Sequence, residues 1–215
     1  MEVITKNRSF FIVYLFFFLT VSVLLLLYSK TELMQWVNAH NGPLADLFFA
    51  RVTYLGDGAF AAIVCVILLF WSFRFALMGI ASFLLSTLVT RALKQFVFSD
   101  SLRPLKYFEH STWQYRIIDG LDIHSYNSFP SGHSTTAFSV FCLLALLDER
   151  KSRGWFFALL AVVTAYSRVY LFQHFVEDVY VGSIIGTVSS VVVFLVLGRH
   201  WDQNPKTWHD RRLRL

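Results

Sequence analysis

Six charged or titratable side chains stand at the ends of long apolar segments, mostly in the second half of the chain. They comprise three cations, two histidines and one carboxylate: Lys94, Arg103, Arg168, His133, His174 and Asp178. Ionisable residues beside membrane-type segments are costly to bury and usually functional. Lysine and arginine donate to a multiply charged oxyanion, and the arginine fork suits two-point contact with phosphate. These residue types therefore predict a phosphate-binding site.

The run Pro130-Ser131-Gly132-His133 directly precedes an apolar segment and reads as the start of a helix. The free backbone N–H groups and the positive dipole end of a helix start favour phosphate. Gly132 permits close approach of the backbone, and Ser131 can cap the helix as well as bind the ligand. The run predicts that Ser131, the Gly132 amide and His133 line the same site.

His174 and Asp178 are four residues apart, which places them on one face of a helix if that helix begins early enough. A carboxylate in this position can fix the tautomer of the imidazole and stabilise its cation. The same two residues together with His133 could instead ligate a metal. Three cations in the same place would oppose a bound metal ion, so no metal or other cofactor is expected.

The composition indicates a membrane protein. The chain has 215 residues, of which 56% are hydrophobic and 15% charged, whereas an ordinary soluble domain has about 25% charged residues. The net charge of +5 lies mainly in loops and in the Arg211–Arg214 tail, and it does not indicate nucleic-acid binding. Cys65 and Cys142 lie inside apolar runs and predict packing rather than a disulfide or a zinc site.

We expect an all-α, polytopic membrane protein in which six transmembrane helices form one bundle, with residues 1–215 as a single domain. The predicted spans are Ser9–Ser29, Gly58–Phe73, Phe75–Phe98, Ser131–Leu147, Gly154–Phe172 and Val176–Gly198. Six spans put both termini on one side, together with the basic Asp148–Gly154 loop. The positive-inside rule makes that side cytoplasmic. Alternating helix directions then bring the six side chains together at the outer face.

Two longer segments are predicted to face outward. Lys30–Asp57 mixes aromatic and polar residues, which is typical of short amphipathic helices along the membrane interface. Ser99–Pro130 is a loop of a length that is uncommon unless functional. Its aromatic residues make it a candidate lid and selectivity element, although interfacial anchoring explains them about as well. Those aromatic residues are Tyr107, Phe108, Trp113 and Tyr115.

The chain resembles the type 2 phosphatidic acid phosphatase family, which includes bacterial lipid phosphatases and shares its pocket with vanadium haloperoxidases. Three signature blocks occur in order: Lys94…Arg103-Pro104, Pro130-Ser131-Gly132-His133 and Ser167-Arg168…His174…Asp178. The first block has eight residues between the lysine and the Arg-Pro pair, where the family has six, and Arg91 is an alternative to Lys94. The resemblance covers roughly residues 86–186. It is specific for the superfamily and gives almost no information about the substrate.

The resemblance implies a mechanism. Neutral His174 attacks phosphorus to form a phosphohistidine, Asp178 orients it, and protonated His133 donates to the leaving oxygen. The phosphoryl oxygens are held without a metal by Lys94, Arg103, Ser131, Gly132 and Arg168. The implied substrates are lipid phosphates such as undecaprenyl diphosphate, phosphatidylglycerol phosphate, phosphatidic acid or lipid A.

Other functions fit the same residues less well. A phosphotransferase would pass the phosphoryl group to a second lipid instead of water. A non-catalytic anion-binding protein would not need both histidines and their carboxylate. A vanadate haloperoxidase is chemically compatible but unexpected in a membrane chain. The compact layout favours a bacterial inner membrane, with the site at the extracytoplasmic face of the cell envelope, and no oligomeric state is indicated.

Overall fold

The computed structural model describes residues 2–118, 120–209 and 211–213, so Asp119 and Arg214 lie outside the described residues. In the described part the chain forms ten α-helices and no β-strand. The helices are α1 Glu2–Lys6, α2 Arg8–Leu27, α3 Lys30–Ala39, α4 Pro43–Val52, α5 Gly58–Leu69, α6 Phe73–Ala92, α7 Pro104–Tyr107, α8 Gly132–Leu147, α9 Gly154–Tyr170 and α10 Val176–Gln203. Two 3-10 turns, Thr53–Gly56 and Lys151–Arg153, and one π-helical turn, Leu93–Val97, complete the helical structure.

Each of the six predicted spans contains one long apolar helix, but length and composition qualify fewer of them as membrane spans. Among the described residues, α2, α10 and the continuous Phe73–Val97 helix pass both criteria. A fourth span results if Pro43–Gly56 and Gly58–Leu69, which meet at a bend of 58°, count as one. The all-helical membrane fold is thus present, and the count of six spans stays a prediction.

Helix α8 lies at the core of the bundle. Small residues on α10 let α8 and α10 approach closely. A Cβ at Gly186 would lie 2.3 Å from the Thr135 carbonyl oxygen, and one at Gly182 would lie 2.7 Å from that of Ser131. Small residues at helix interfaces allow this kind of packing in membranes. Ser190 Oγ also donates to the Ser139 carbonyl oxygen at 2.7 Å. The contact fixes the start of α10 beside the start of α8.

The two outward segments differ in structure. Residues 30–57 form α3, α4 and a 3-10 turn, with Trp36 and Phe48 more than half exposed. Residues 99–130 are mainly irregular and are fastened to the first segment by a two-point ion pair between Arg116 and Asp46, whose shorter N···O distance is 2.5 Å. Tyr170 Oη donates to the same carboxylate at 2.7 Å. The ion pair and this hydrogen bond anchor the long loop over the end of α9.

The basic segments lie together at the other end of the bundle. Ser9 Oγ, at the start of α2, donates to the Lys151 carbonyl oxygen at 2.8 Å. Ser72 Oγ, between α5 and α6, donates to the His209 carbonyl oxygen at 2.6 Å. The beginning of the chain, the loop after α8 and the tail therefore share one end, opposite the predicted site.

Candidate active site

His174 and Asp178 form a buried pair, each with 1% of its surface exposed. His174 Nδ1 lies 3.1 Å from Asp178 Oδ2. The pair is not made along one helical face, because α10 begins only at Val176. His174 instead projects from the short loop after α9, and Asp178 lies in the first turn of α10. With Nδ1 bound to the carboxylate, Nε2 is the nitrogen free to act as a nucleophile.

The Asp178 carboxylate is held by more donors than the sequence suggests. Its Oδ2 accepts from Ser128 Oγ at 2.5 Å and from the Phe175 backbone N–H at 3.0 Å. Ser128 Oγ also lies 3.4 Å from His174 Nδ1. Several donors on one carboxylate oxygen fix the position of the Asp178 side chain beside the imidazole. Ser128 carries no signal in the sequence beyond its place two residues before Pro130.

The surroundings of His174 favour a neutral imidazole. Burial, followed by the positive charges of Arg103, Arg168 and Lys94, holds the pKa of His174 well below its usual range. Burial disfavours the charged form of a base, and nearby cations add to that effect. A neutral imidazole retains the lone pair that a nucleophile requires, so this environment suits the role predicted for His174.

Arg168 presents an unused donor to the site. Its Nη1 donates to Thr53 Oγ1 at 2.6 Å, and it has only 7% of its surface exposed. Its Nε is buried without a hydrogen-bond partner among the described residues. An unsatisfied buried donor is costly, and an oxyanion bound beside His174 would satisfy it. Thr53 is a second residue that the sequence analysis did not identify.

Arg103 is fixed by backbone and side-chain acceptors. Its Nε donates to the Tyr126 carbonyl oxygen at 3.0 Å, and its Nη1 donates to Gln173 Oε1 at 3.1 Å. Gln173 in turn donates to the Asp122 carbonyl oxygen at 2.9 Å. Gln173 directly precedes His174 and so ties the arginine to the histidine loop. Its position was not predicted.

The structure brings Lys94 to the cluster despite the unusual spacing. Lys94 lies in the π-helical turn at the end of α6, and its Nζ donates to the carbonyl oxygens of Asn127 and Ser128. It interacts electrostatically with Arg103, Arg168 and Asp178. The residues between Lys94 and Arg103 form the rest of the π turn and the irregular segment that follows it. Arg91, the alternative, is exposed on α6.

The start of α8 is arranged as predicted for a capped helix. Ser131 is fully buried, and its Oγ accepts from Ser134 N–H at 3.4 Å and from Ser134 Oγ at 3.0 Å. The side-chain position of Gly132 faces open space, with no atom within 4 Å. A helix start of this kind leaves backbone N–H groups available to an anion. Contact of Ser131 and Gly132 with phosphate stays a prediction.

His133 contacts a residue from a distant part of the chain, since its Nε2 lies 2.8 Å from Asp57 Oδ1. Both side chains are about one-third exposed and border a cleft of about 320 Å³ between α5, α6 and α8. No group of three or more His, Cys, Asp or Glu side chains in the described residues is arranged to hold a metal ion.

The aromatic residues of the long loop pack around the histidine loop. Tyr115 stacks on Phe172 with ring centroids 5.0 Å apart, and Phe108 lies 6.0 Å from the same ring. Tyr107 meets Phe175 edge-on at 5.3 Å. These contacts support the loop that carries His174, whereas the predicted lid and selectivity role is not tested by them.

The amino-acid sequence also matches the model of a known superfamily. Residues 75–202, more than half of the chain, match the sequence model of the PAP2 superfamily. The chain belongs to the PAP2 superfamily. The resemblance drawn from the three signature blocks is thereby confirmed, and all the blocks fall inside the matched region.

Several bacterial relatives of this PAP2 protein carry informative names. The undecaprenyl-diphosphatase BcrC of Bacillus subtilis is 26% identical over 74% of this chain and 75% of its own length. The putative undecaprenyl-diphosphatase YbjG of Escherichia coli is 36% identical over 39% of this chain and 43% of its own. The bacitracin transport permease protein BcrC of Bacillus licheniformis is 37% identical over 32% of each chain. The match therefore spans less than half of the last two relatives.

Two solved structures share the fold. LpxE of Aquifex aeolicus superposes with a TM-score of 0.66 at 26% identity, over 77% of this chain and 94% of the other. A transmembrane PAP2-type phosphatidylglycerolphosphate phosphatase of Bacillus subtilis superposes with a TM-score of 0.63 at 22% identity. The superposition covers 95% of this chain and 99% of the other. The second likeness extends across nearly the whole chain and supports an integral membrane fold.

Proposed function

We propose that this PAP2 protein is a metal-independent lipid phosphatase that hydrolyses a phosphate monoester or diphosphate through a phosphohistidine. The observation that carries the proposal is the buried His174–Asp178 pair beside the unpartnered Nε of Arg168. Nε2 of His174 attacks phosphorus, and Asp178 holds Nδ1 as charge develops on the ring. Lys94, Arg103 and Arg168 stabilise the negative charge on the phosphoryl oxygens.

Undecaprenyl diphosphate is the first substrate to test, because two of the relatives are named for its hydrolysis. The protein should release inorganic phosphate from it faster than from phosphatidylglycerol phosphate, phosphatidic acid or lipid A.

Saturating EDTA should change the rate of phosphate release by less than about twofold, since no step requires a Lewis acid. Orthovanadate should inhibit, because it adopts the five-coordinate geometry of the transition state.

The phosphate-release assay in detergent micelles decides between these outcomes, with a labelled lipid acceptor added to detect transfer to lipid instead of water. Labelled acceptor without free phosphate would indicate a phosphotransferase. Loss of activity in EDTA that a divalent ion restores would contradict the metal-independent mechanism.

The site should face outward from the cytoplasm, because the basic segments at the opposite end follow the positive-inside rule. A single-cysteine scan tests this on a background lacking Cys65 and Cys142. Ser111 and Ser152 are both exposed, the first in the long loop and the second in the basic loop. In intact bacterial spheroplasts, Ser111→Cys should react with a membrane-impermeant maleimide, and Ser152→Cys should react only after lysis. The reverse pattern would place the site in the cytoplasm and exclude substrates confined to the outer leaflet.

A further inference from the structure

The turn between α4 and α5 reaches into the site from outside the signature blocks. Gly56 lies directly against the start of α8, so that a Cβ there would be 2.7 Å from the His133 carbonyl oxygen. Only glycine permits this approach without displacing α8. The next residue, Asp57, is thereby placed with its Oδ1 at 2.8 Å from His133 Nε2. Thr53, four residues earlier, binds Arg168.

The Asp57 side chain is directed to His133 rather than to its own helix. Asp57 occupies the N-cap position of α5, where aspartate commonly accepts a backbone N–H of the first turn. No such side-chain bond is present here. The carboxylate lacks that local hydrogen bond and instead contacts the imidazole of His133, which lies 76 positions later in the sequence (133 − 57). A purely structural cap would show the opposite arrangement.

A general acid at this place needs a carboxylate, because its other charged neighbours are mainly positive. A cation near an imidazole disfavours its protonated form, and a carboxylate within hydrogen-bond distance favours it. The groups that interact electrostatically with His133 are Arg168, His174, Arg103 and Lys94. Asp57, which lines the same cleft as His133, places a carboxylate beside this side of the ring.

We propose that Asp57 is a positioning residue that orients His133 and favours its protonated form for the general-acid step, an inference that rests on the proposed function. Because Asp57 holds Nε2–H, the proton comes from Nδ1. As His174 Nε2 bonds to phosphorus, the bond from phosphorus to the lipid oxygen breaks. That oxygen takes the electron pair and the Nδ1 proton, and His133 becomes neutral. Asp57 itself does not touch the substrate.

The test compares two leaving groups in the Asp57→Asn variant, which keeps the size of the side chain but removes its charge. An alkoxide, as released from phosphatidic acid, needs protonation, whereas p-nitrophenolate leaves without much help. The variant should lose about tenfold to a hundredfold in kcat on phosphatidic acid, and less than about threefold on p-nitrophenyl phosphate. Asp100→Asn, an exposed aspartate at the same end of the bundle, is the matched control and should retain both rates.

The ratio of the two losses decides the inference. Equal losses on both substrates would show that Asp57 only supports the structure, and no loss on either would show that it is not needed. Both results would overturn the proposal. Failure of the proposed function is distinguishable, because the wild-type protein would then release no phosphate from any of the lipids.

Discussion

Replacing His174 by alanine should lower turnover on a lipid phosphate by roughly a thousandfold or more, which is typical for loss of a covalent catalyst. The variant removes Nε2, the ring nitrogen that does not contact Asp178 and that the proposed mechanism uses for attack. Burial, followed by the neighbouring cations, lowers the pKa of His174 and so favours a neutral imidazole with an available lone pair. Phosphate release from purified protein measures the loss.

The covalent intermediate gives a second readout of the same prediction. Wild-type protein quenched during turnover should carry a phosphoryl group on His174 that is stable in base and labile in acid. Peptide mapping under basic conditions locates it. His110→Ala is a suitable control, since that side chain is 92% exposed on the long loop. A folded His174→Ala variant with nearly wild-type turnover would contradict the mechanism.

The sequence predicts where the six side chains gather better than it predicts the number of membrane spans. Hydropathy and span parity place the ends of the apolar helices at one face, and the structure brings the six predicted side chains to one end of the bundle. The same pattern does not establish the number of spans. Helices α8 and α9 are short, with 16 and 17 residues, and the buried surface of α8 comes from packing inside the bundle. Hydropathy cannot distinguish such a core helix from a membrane span.

The residues that the sequence does not reveal are those that contact the predicted site residues from distant positions in the chain. Thr53 contacts Arg168 across 115 positions of the chain, and Ser128 contacts Asp178 across 50. Asp57 and Gln173 are similar cases. Neither their type nor their spacing departs from that of ordinary loop residues, because their contacts exist only after α4, α8, α9 and α10 have packed. Periodicity within one segment carries no information about such contacts.

The position of His174 in a loop is a further feature that the sequence does not reveal. A spacing of four residues predicts contact with Asp178, and the contact is present at 3.1 Å. The helical face that the spacing suggests is absent, because the chain enters α10 only after Phe175. The Phe175 backbone N–H, just before α10, donates to the Asp178 carboxylate. His174 therefore reaches the carboxylate from the loop before α10, and its Nδ1 rather than a helical face makes the contact.

Arg168→Ala should reduce kcat/KM by about a hundredfold to a thousandfold, comparable to removing one preorganised donor from an oxyanion site. The side chain is buried, and Thr53 fixes one end of its guanidinium. Its unpartnered Nε is therefore held ready, and little reorganisation is needed when charge moves onto the phosphoryl oxygens. Arg168→Lys should recover only part of the loss, since an ammonium group lacks the planar fork.

Thr53→Val separates the position of the arginine from its charge. The valine has nearly the same shape but cannot accept the Nη1 hydrogen bond, so kcat/KM should fall by roughly tenfold while the charge stays in place. Arg199→Gln, an exposed arginine at the opposite end of α10, should keep wild-type kinetics, and thermal unfolding of each variant checks the fold. If folded Arg168→Ala retained more than about a third of wild-type kcat/KM, the arginine would contribute less than about 1 kcal/mol to transition-state binding. Phosphate recognition would then have to come from Lys94, Arg103 and the start of α8.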